Sequence, residues 1–266
     1  QRPVLDVRLF RRPAFTGANL VVFATFFGIF AIFFFVALYL QLIANASPYA
    51  TALDFLPMAA GMIAASALTG RWVGRAGPRV PMTVGCVLGA AGILLTNAYL
   101  SPNVGLATLG WTLGIAGVGF GIAMVPVTAA ILTVAPAERS GMAASVGNTS
   151  RELGAVFGVA VLGAVINAEL TGHLVTQLQR LGIPANFQAL VLHAVTHGGV
   201  PKTGPAGFGH SRLVMEVIHA AEAAFASGLN VALLLAGAML AAGALIAAVT
   251  IRRTSEPASL LGAPPE

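Results

Sequence analysis

Residues Leu20 to Leu40 read LVVFATFFGIFAIFFFVALYL, an apolar run without a single charged side chain. The hydrocarbon core of a bilayer is about 30 Å thick, and an α-helix crosses it with about 20 apolar residues. A run of this length without a charge is typical of a transmembrane helix. This stretch therefore predicts a membrane span, and the rest of the chain repeats the pattern.

The composition of the whole chain also indicates a membrane protein. Of its 266 residues, 57% are hydrophobic and 9% are charged, whereas soluble domains have about 45–50% and 25%. The mean hydropathy is +0.87. A soluble fold of this size leaves much of its surface exposed to water and has no room to hide so much apolar surface. We therefore expect an all-α integral membrane protein that lies in the lipid bilayer.

The apolar runs and the turn residues between them predict six transmembrane helices. The charge-free stretch between Arg79 and Glu138 is too long for one span, and turn-forming residues at 97–103 divide it in two. Pro126 lacks a backbone N–H and is expected to kink the fourth helix or end its membrane part. The predicted spans are about 18–42, 50–70, 80–100, 104–127, 145–168 and 223–251, with an N-terminal segment 1–17, a long loop 169–222 and a tail 252–266.

The arginines predict how these helices are oriented. Ten of the fourteen basic residues lie in the two end segments and in the connections after the second and fourth spans. Because cytoplasmic loops are enriched in Lys and Arg, both ends of the chain are predicted to be cytoplasmic, in the cell (plasma or inner) membrane, with 169–222 outside. The excess of basic residues is thus explained by the orientation of the helices in the membrane. The sequence has no basic patch interleaved with aromatic residues that would point to nucleic-acid binding. The ten residues are Arg2, Arg8, Arg11, Arg12, Arg71, Arg75, Arg79, Arg139, Arg252 and Arg253.

Glycines spaced four residues apart mark the faces on which we expect helices to pack. Small residues at this spacing let two helix backbones approach closely in lipid, where burial of apolar surface gives no extra drive. The fourth and fifth spans are therefore expected to be buried, and the Phe-rich first span to face lipid. The packing glycines are Gly110 and Gly114, Gly117 and Gly121, and Gly154 and Gly158.

Four stretches carry a resemblance to a known family. They are LDVRLFRRPAFTGAN at 5–19, LDFLPMAAGMIAASALTGRWVGRAGPR at 53–79, PAERSGMAASVGNTSRELGAVFGVAVLG at 136–163 and AFASGLNVALLLAGAML at 224–240. Together they resemble the C-terminal six-helix half of a fourteen-helix drug:proton antiporter of the major facilitator superfamily. The resemblance implies a half-bundle of that fold, an N-terminal six-helix half of the same protein as partner, and proton-coupled efflux of amphipathic drugs or similar small molecules.

The loop at 70–79 is similar to the pattern that joins the second and third helices of a half in this superfamily. Arg71, Arg75 and Arg79 are interpreted either as topology signals or as gating residues with contacts that exist only in the outward-facing state, and Gly77 is a candidate of the same gating loop. Gly77 is expected to make the tight turn of the loop. The sequence departs from the pattern at Gly74, where the family has an acidic residue.

Charged residues inside or beside the spans are candidates for a substrate or proton pathway. A carboxylate within a span is costly unless it pairs, protonates or faces water, so Asp54 is either interfacial or part of a proton or cationic-substrate site. Arg151 either snorkels to the cytoplasmic interface or faces the transport cavity or the neighbouring half. Glu152 replaces the family's usual glutamine, and Asn148 is close enough to bond either residue. We interpret Arg151 and Glu152 as a hinge or cavity-mouth pair.

An enzyme is not expected, because no span contains histidine and no HExxH or GxSxG pattern occurs. All five histidines fall in 169–222, and the four-residue spacing of His193 and His197 is a weak metal signal, so no metal or cofactor is assigned. An apolar stripe of Leu170, Leu174, Leu178 and Leu181 predicts an amphipathic helix at the start of this loop. Two alternatives remain: a non-transporting or truncated membrane subunit, and an exporter of an endogenous antibiotic, siderophore or lipid.

Overall fold

The computed structural model describes residues 7–101, 105–134, 140–180 and 212–251. These residues form six long helices and no strand, and each helix is long and apolar enough to cross a membrane. The predicted all-α, six-helix half-bundle is therefore confirmed. The helices are α1 (Pro13–Leu42, with a π-helical turn at Ile32–Val36), α2 (Pro48–Ala76), α3 (Arg79–Tyr99), α4 (Leu106–Val134), α5 (Ser140–Arg180) and α6 (Arg212–Thr250).

The helix connections alternate between the two ends of the bundle. Tight contact between Gly17 near the start of α1 and Thr250 at the end of α6 places both termini of the bundle at the same end. The connection 43–47 lies at the other end, which we name the opposite face, together with the end of α3 at Tyr99 and the start of α4 at Leu106. The first end, which we name the arginine face, is defined by Arg11, Arg12, Arg71, Arg75 and Arg79.

The turn between α2 and α3 follows from its sequence. Gly77 ends α2 with φ = 72°, and its N–H donates a 3.0 Å hydrogen bond to the carbonyl of Val73. Glycine adopts this positive φ without a steric penalty. Pro78 follows directly, and α3 begins at Arg79. The chain thus reverses direction within two residues, so α2 and α3 both reach the arginine face.

The helices lie in a different burial order from the one expected. The most apolar part of α1 is 61% buried, whereas that of α5 is 33% buried and that of α2 is 28% buried. The expectations that the first span faces lipid and that the fifth is buried are both wrong. α1 packs against α4, α5 and α6, so Phe27 and Phe35 fill the interior. α2 and α5 carry the largest uncovered surfaces.

α5 and α6 extend beyond their predicted bounds. α5 continues past residue 168, because Leu170 and Leu174 are buried and His173 Nε2 lies 3.3 Å from Glu169 Oε2, an (i, i+4) pair that supports a helix. The predicted amphipathic stretch is thus the end of a continuous helix rather than a separate one. α6 begins at Arg212 instead of 223. His193 and His197 lie outside the described residues.

α4 continues through Pro126, at which its membrane part was expected to kink or end. The helix reaches Val134, and Val127, Ala130 and Ile131 just beyond the proline are buried. Contacts with neighbouring helices hold a transmembrane helix together where proline removes one backbone hydrogen bond. The extra turn brings α4 to the arginine face beside the start of α5.

The paired glycines lie where helices approach one another. A Cβ at Gly117 or Gly121 would collide with the backbone of Met58 or Met62 on α2. Gly110 and Gly114 face Pro57 on the same helix, and a Cβ at Gly110 would lie 3.3 Å from its ring.

On α5, Gly154 and Gly158 face the carbonyls of Phe23 and Phe27 on α1. The absence of side chains therefore sets the α2–α4 and α1–α5 distances.

Candidate functional site

A cavity of about 200 Å³ lies between α1, α4 and α5, towards the arginine face. It is far larger than the ~10–15 Å³ needed to hold one water molecule. Its walls are mostly apolar, with a few polar groups that converge from three helices. Its lining includes Thr25 and Phe26 from α1, Met124 and Thr128 from α4, and Asn148 and Arg151 from α5.

Arg151 is the one charged residue among those that line the cavity. Its guanidinium carbon lies 5.0 Å from the centroid of the Phe26 ring, within the range of a cation–π interaction. Its Nε atom is buried and has no hydrogen-bond partner among the described residues. The arginine is therefore held by a ring rather than by a carboxylate, and it retains hydrogen-bonding capacity.

Asn148 lies one helical turn before Arg151 and lines the same cavity. The two hydroxyls of the lining are already used as donors, since Thr25 donates to the carbonyl of Val21 at 2.7 Å and Thr128 to that of Met124 at 3.3 Å. Each hydroxyl keeps lone pairs with which to accept. The donors available to a bound molecule are thus the amide of Asn148 and the guanidinium of Arg151.

Glu152 does not belong to this cavity. Adjacent residues of a helix point about 100° apart, and Glu152 lies exposed on a different side of α5. Arg151 and Glu152 form no ion pair within the described part of the chain. The two adjacent charges have different surroundings, so the structure does not bring them together as a pair.

A bridge between α1 and α5 lies beside Arg151. The hydroxyl of Ser150 donates a 3.0 Å hydrogen bond to Asn19 Oδ1, and Asn19 Nδ2 donates a 2.8 Å bond to the carbonyl of Phe15. Asn19 is buried. Sequence reasoning missed these residues and Phe26. An amide within the apolar first span was the only signal that pointed to Asn19.

Asp54 forms a second, separate polar position, on α2 towards the opposite face. Its side chain is buried, with 7% of its surface exposed, and Oδ1 has no hydrogen-bond partner among the described residues. The next residue, Phe55, stacks on Phe33 of the π-helical turn at 5.1 Å and 10°. Asp54 is not among the residues that line the Arg151 cavity.

The gating candidates lie at the surface of the arginine face. Arg71 and Arg75 are exposed, and Arg79 is half-buried. Gly74, where the family pattern has an acidic residue, is exposed, and a Cβ added there would meet nothing within 4 Å. Arg139, which was counted in the topology, lies outside the described residues.

Within 7–101, 105–134, 140–180 and 212–251, no group of three His, Cys, Asp or Glu side chains is placed to hold a metal ion. The histidines there form pairs instead, as His219 Nδ1 lies 3.5 Å from Glu222 Oε2 and His173 pairs with Glu169. Both pairs lie towards the opposite face, far along α5 and α6 from the cavity.

Comparison with known proteins gives consistent results. The sequence model described as Major Facilitator Superfamily matches residues 1–159. The chain is 32% identical over 239 residues to the multidrug resistance protein Stp of Mycobacterium tuberculosis, covering 89% of this chain and 44% of that protein. It is 27% identical over 259 residues to the tetracenomycin C resistance and export protein of Streptomyces glaucescens, covering 96% and 47%. The chain thus spans about half the length of the curated relatives it matches.

A solved structure shares the fold. The crystal structure of a bacterial homolog of the human lysosomal transporter Spinster, in an inward-facing and unoccupied conformation, superposes with a TM-score of 0.62 at 17% identity. The match covers 94% of this chain and 51% of that one. At this identity the likeness concerns the fold alone, and it agrees with a six-helix half of a larger bundle.

Proposed function

Because the chain belongs to the major facilitator superfamily, we propose that it forms one half of a secondary active transporter that exports amphipathic small molecules. The observation that carries the proposal is the cavity between α1, α4 and α5, a mostly apolar space with one positive charge in its wall. Ionisable groups inside membrane segments are costly and commonly mark substrate or ion pathways. The multidrug resistance and antibiotic export functions in the relatives' names support the same class.

The proposed partner is an N-terminal six-helix half of the same protein. Transporters of this type place substrate near the bilayer midplane between two repeats and rock one against the other. α2 and α5 have the least buried spans, with Ile63 and Leu68 on α2 and Val156 on α5 all more than 60% exposed. These two faces would receive the second half.

Protons are the proposed coupling ions, and Asp54 is the proposed carrier within this half. A buried carboxylate with an unpartnered oxygen is costly to keep charged, so binding a proton would relieve that cost. Its separation from the Arg151 cavity keeps the two charges apart within the bundle. Asn148 and Arg151 are the proposed substrate contacts. Glu152 lies on the exposed surface beside them and is not proposed to contact the substrate.

The arginine face is proposed to be cytoplasmic, in the cell membrane, with the opposite face outside. Exposed Arg71 and Arg75, with the Gly77 turn and Arg79, would then stand at the cytoplasmic rim. There they could contact the other half in one state of the transport cycle and release it in the next.

Export of an endogenous antibiotic is the second candidate function. The name of the Streptomyces glaucescens relative, a tetracenomycin C resistance and export protein, favours it. The cavity is compatible with either substrate group, because mostly apolar walls with few polar groups accept molecules of many shapes. The two candidates differ in which compounds are moved and not in the mechanism.

The test uses the complete gene product in proteoliposomes, with the 266-residue chain alone as the matched control. An imposed pH gradient should drive transport of tetracenomycin C or ethidium by the complete product, and a protonophore should abolish it. The lone chain should transport nothing. Transport that continues in the presence of the protonophore would reject proton coupling. If the complete product transports neither ethidium nor tetracenomycin C, the alternative of a non-transporting membrane subunit would be favoured.

A further inference from the structure

We propose that the cavity between α1, α4 and α5 selects substrates that carry a carboxylate or a comparable anionic group, with Arg151 as its binding partner. This inference rests on the proposed transport function, and it names the substrate class that the site prefers. Amphipathic cations would then be poorer ligands of this cavity than anions of the same size and shape.

The charge of the cavity favours an anionic ligand. Arg151 is the only charged residue among its lining residues, and it makes no ion pair with a carboxylate in the described part of the chain. Glu152 is exposed on another side of α5, and Asp54 lies on α2, outside the cavity lining. Among the residues that the structure describes, one positive charge therefore faces the cavity without a compensating carboxylate.

The hydrogen-bond donors of the cavity also suit a carboxylate. A guanidinium has five N–H donors in a planar fork that matches a carboxylate in a bidentate arrangement. Phe26 covers the guanidinium at 5.0 Å, and an aromatic ring that satisfies the charge in this way takes none of its N–H groups. The Asn148 amide, one turn earlier on α5, adds two further donors beside the same space.

The remaining walls of the cavity suit the apolar part of such a ligand. Val22, Met124 and Ile131 are apolar, and a space of about 200 Å³ is large enough for part of an aromatic ring system. Attraction between charges is stronger where the surroundings are less polar than water. An aromatic acid would place its ring on these walls and its carboxylate on Arg151.

The experiment compares three ligands that share a naphthalene ring system and differ in charge. They are the anion 1-naphthoate, the neutral 1-naphthamide and the cation 1-naphthylmethylammonium. Equilibrium dialysis against the purified complete gene product gives a Kd for each. The wild-type protein should bind naphthoate about tenfold or more tightly than the ammonium, the scale expected of a charge-assisted hydrogen bond. Equal affinities, or tighter binding of the ammonium, would overturn the proposal without need of any variant.

Substitution then locates the effect. Arg151→Gln should abolish the preference for naphthoate and leave the affinity for naphthamide nearly unchanged, which also shows that the variant is folded. Arg151→Lys should keep part of the preference, because it keeps the charge but loses the fork. Arg11→Gln, which removes an exposed arginine from the same face, is the matched control and should behave as wild type. A preference that survives in Arg151→Gln would also overturn the proposal.

The readout separates this inference from the transport function. Naphthoate selectivity that depends on Arg151 in a protein that moves no substrate would support the site and reject the transporter. Proton-driven export of ethidium by a protein without naphthoate selectivity would do the reverse.

Discussion

The hydroxyl of Ser150 lies 3.0 Å from Oδ1 of Asn19, and this hydrogen bond joins α5 to α1 one residue before Arg151 enters the cavity wall. Close by, Gly154 faces the carbonyl of Phe23 on α1. A polar bond and a glycine contact thus hold the same two helices together within about one turn. They fix the distance between Phe26 on α1 and Arg151 on α5, and so the shape of the cavity.

Loss of the Ser150 hydroxyl should destabilise the bundle modestly. Ser150→Ala leaves the amide oxygen of Asn19 without this partner in a buried position, and a buried acceptor left unsatisfied costs about 1–3 kcal/mol. A lower midpoint of thermal unfolding in detergent should report it. The neighbouring Thr149→Ala is the control, because the Thr149 hydroxyl is exposed and bonds only the carbonyl of Ser145 in its own helix. Equal midpoints for the two variants would mean that the Ser150–Asn19 bond contributes nothing.

A side chain at Gly117 should be far more harmful than one at Gly172. The Cβ of Gly117→Ala would collide with the backbone of Met58, so α2 and α4 must separate, and overpacking of this kind costs about 1–3 kcal/mol. Gly172, also within a helix, has nothing within 4 Å of an added Cβ. Gly172→Ala should therefore be neutral or gain up to about 1 kcal/mol of helix propensity. The comparison needs only the yield of folded protein and the thermal midpoint; a folded, fully stable Gly117→Ala would contradict the close α2–α4 contact.

The sequence was sufficient to predict the number and the type of the helices, because long charge-free runs have few other structural solutions. It was not sufficient to predict their ends. Leu170 and Leu174 read as a separate amphipathic stretch, and only their burial in the folded bundle shows that α5 continues through them. Likewise Pro126 is compatible with a helix end or a continuous helix, and packing of the following turn decides between them.

The candidate site was predictable only in part, since its walls come from distant positions in the chain. Arg151 and Asn148 could be predicted as site residues because they are polar residues beside an apolar span. Phe26 and Met124 look like any other apolar residue of a span, and only the packing of α1, α4 and α5 brings them to Arg151. Burial order was predicted wrongly for the same reason, as phenylalanine content does not reveal how many neighbours a helix has.

Removal of the Phe26 ring should weaken anion binding without removing the charge. The ring contributes to holding the Arg151 guanidinium by a cation–π interaction of about 0.5–2 kcal/mol. Phe26→Leu should therefore raise the Kd for 1-naphthoate several-fold. Phe30→Leu, one turn further along α1 and 40% exposed, is the matched control and should leave that Kd unchanged. If both variants bind like wild type, the ring does not position the arginine.

Replacement of Asp54 should separate stability from proton coupling. Asp54→Asn keeps the shape of the side chain and removes the charge from a buried group whose Oδ1 lacks a partner, so the folded state should become equally or more stable, because burying an unpaired charge is costly. The same change removes the only proposed proton carrier of this half, so pH-driven export in proteoliposomes should fall sharply. Glu169→Gln, a partly exposed carboxylate on α5, should leave export intact. Full pH-driven export by Asp54→Asn, at equal amounts of folded protein, would remove Asp54 from the proton pathway and leave it as an interfacial residue.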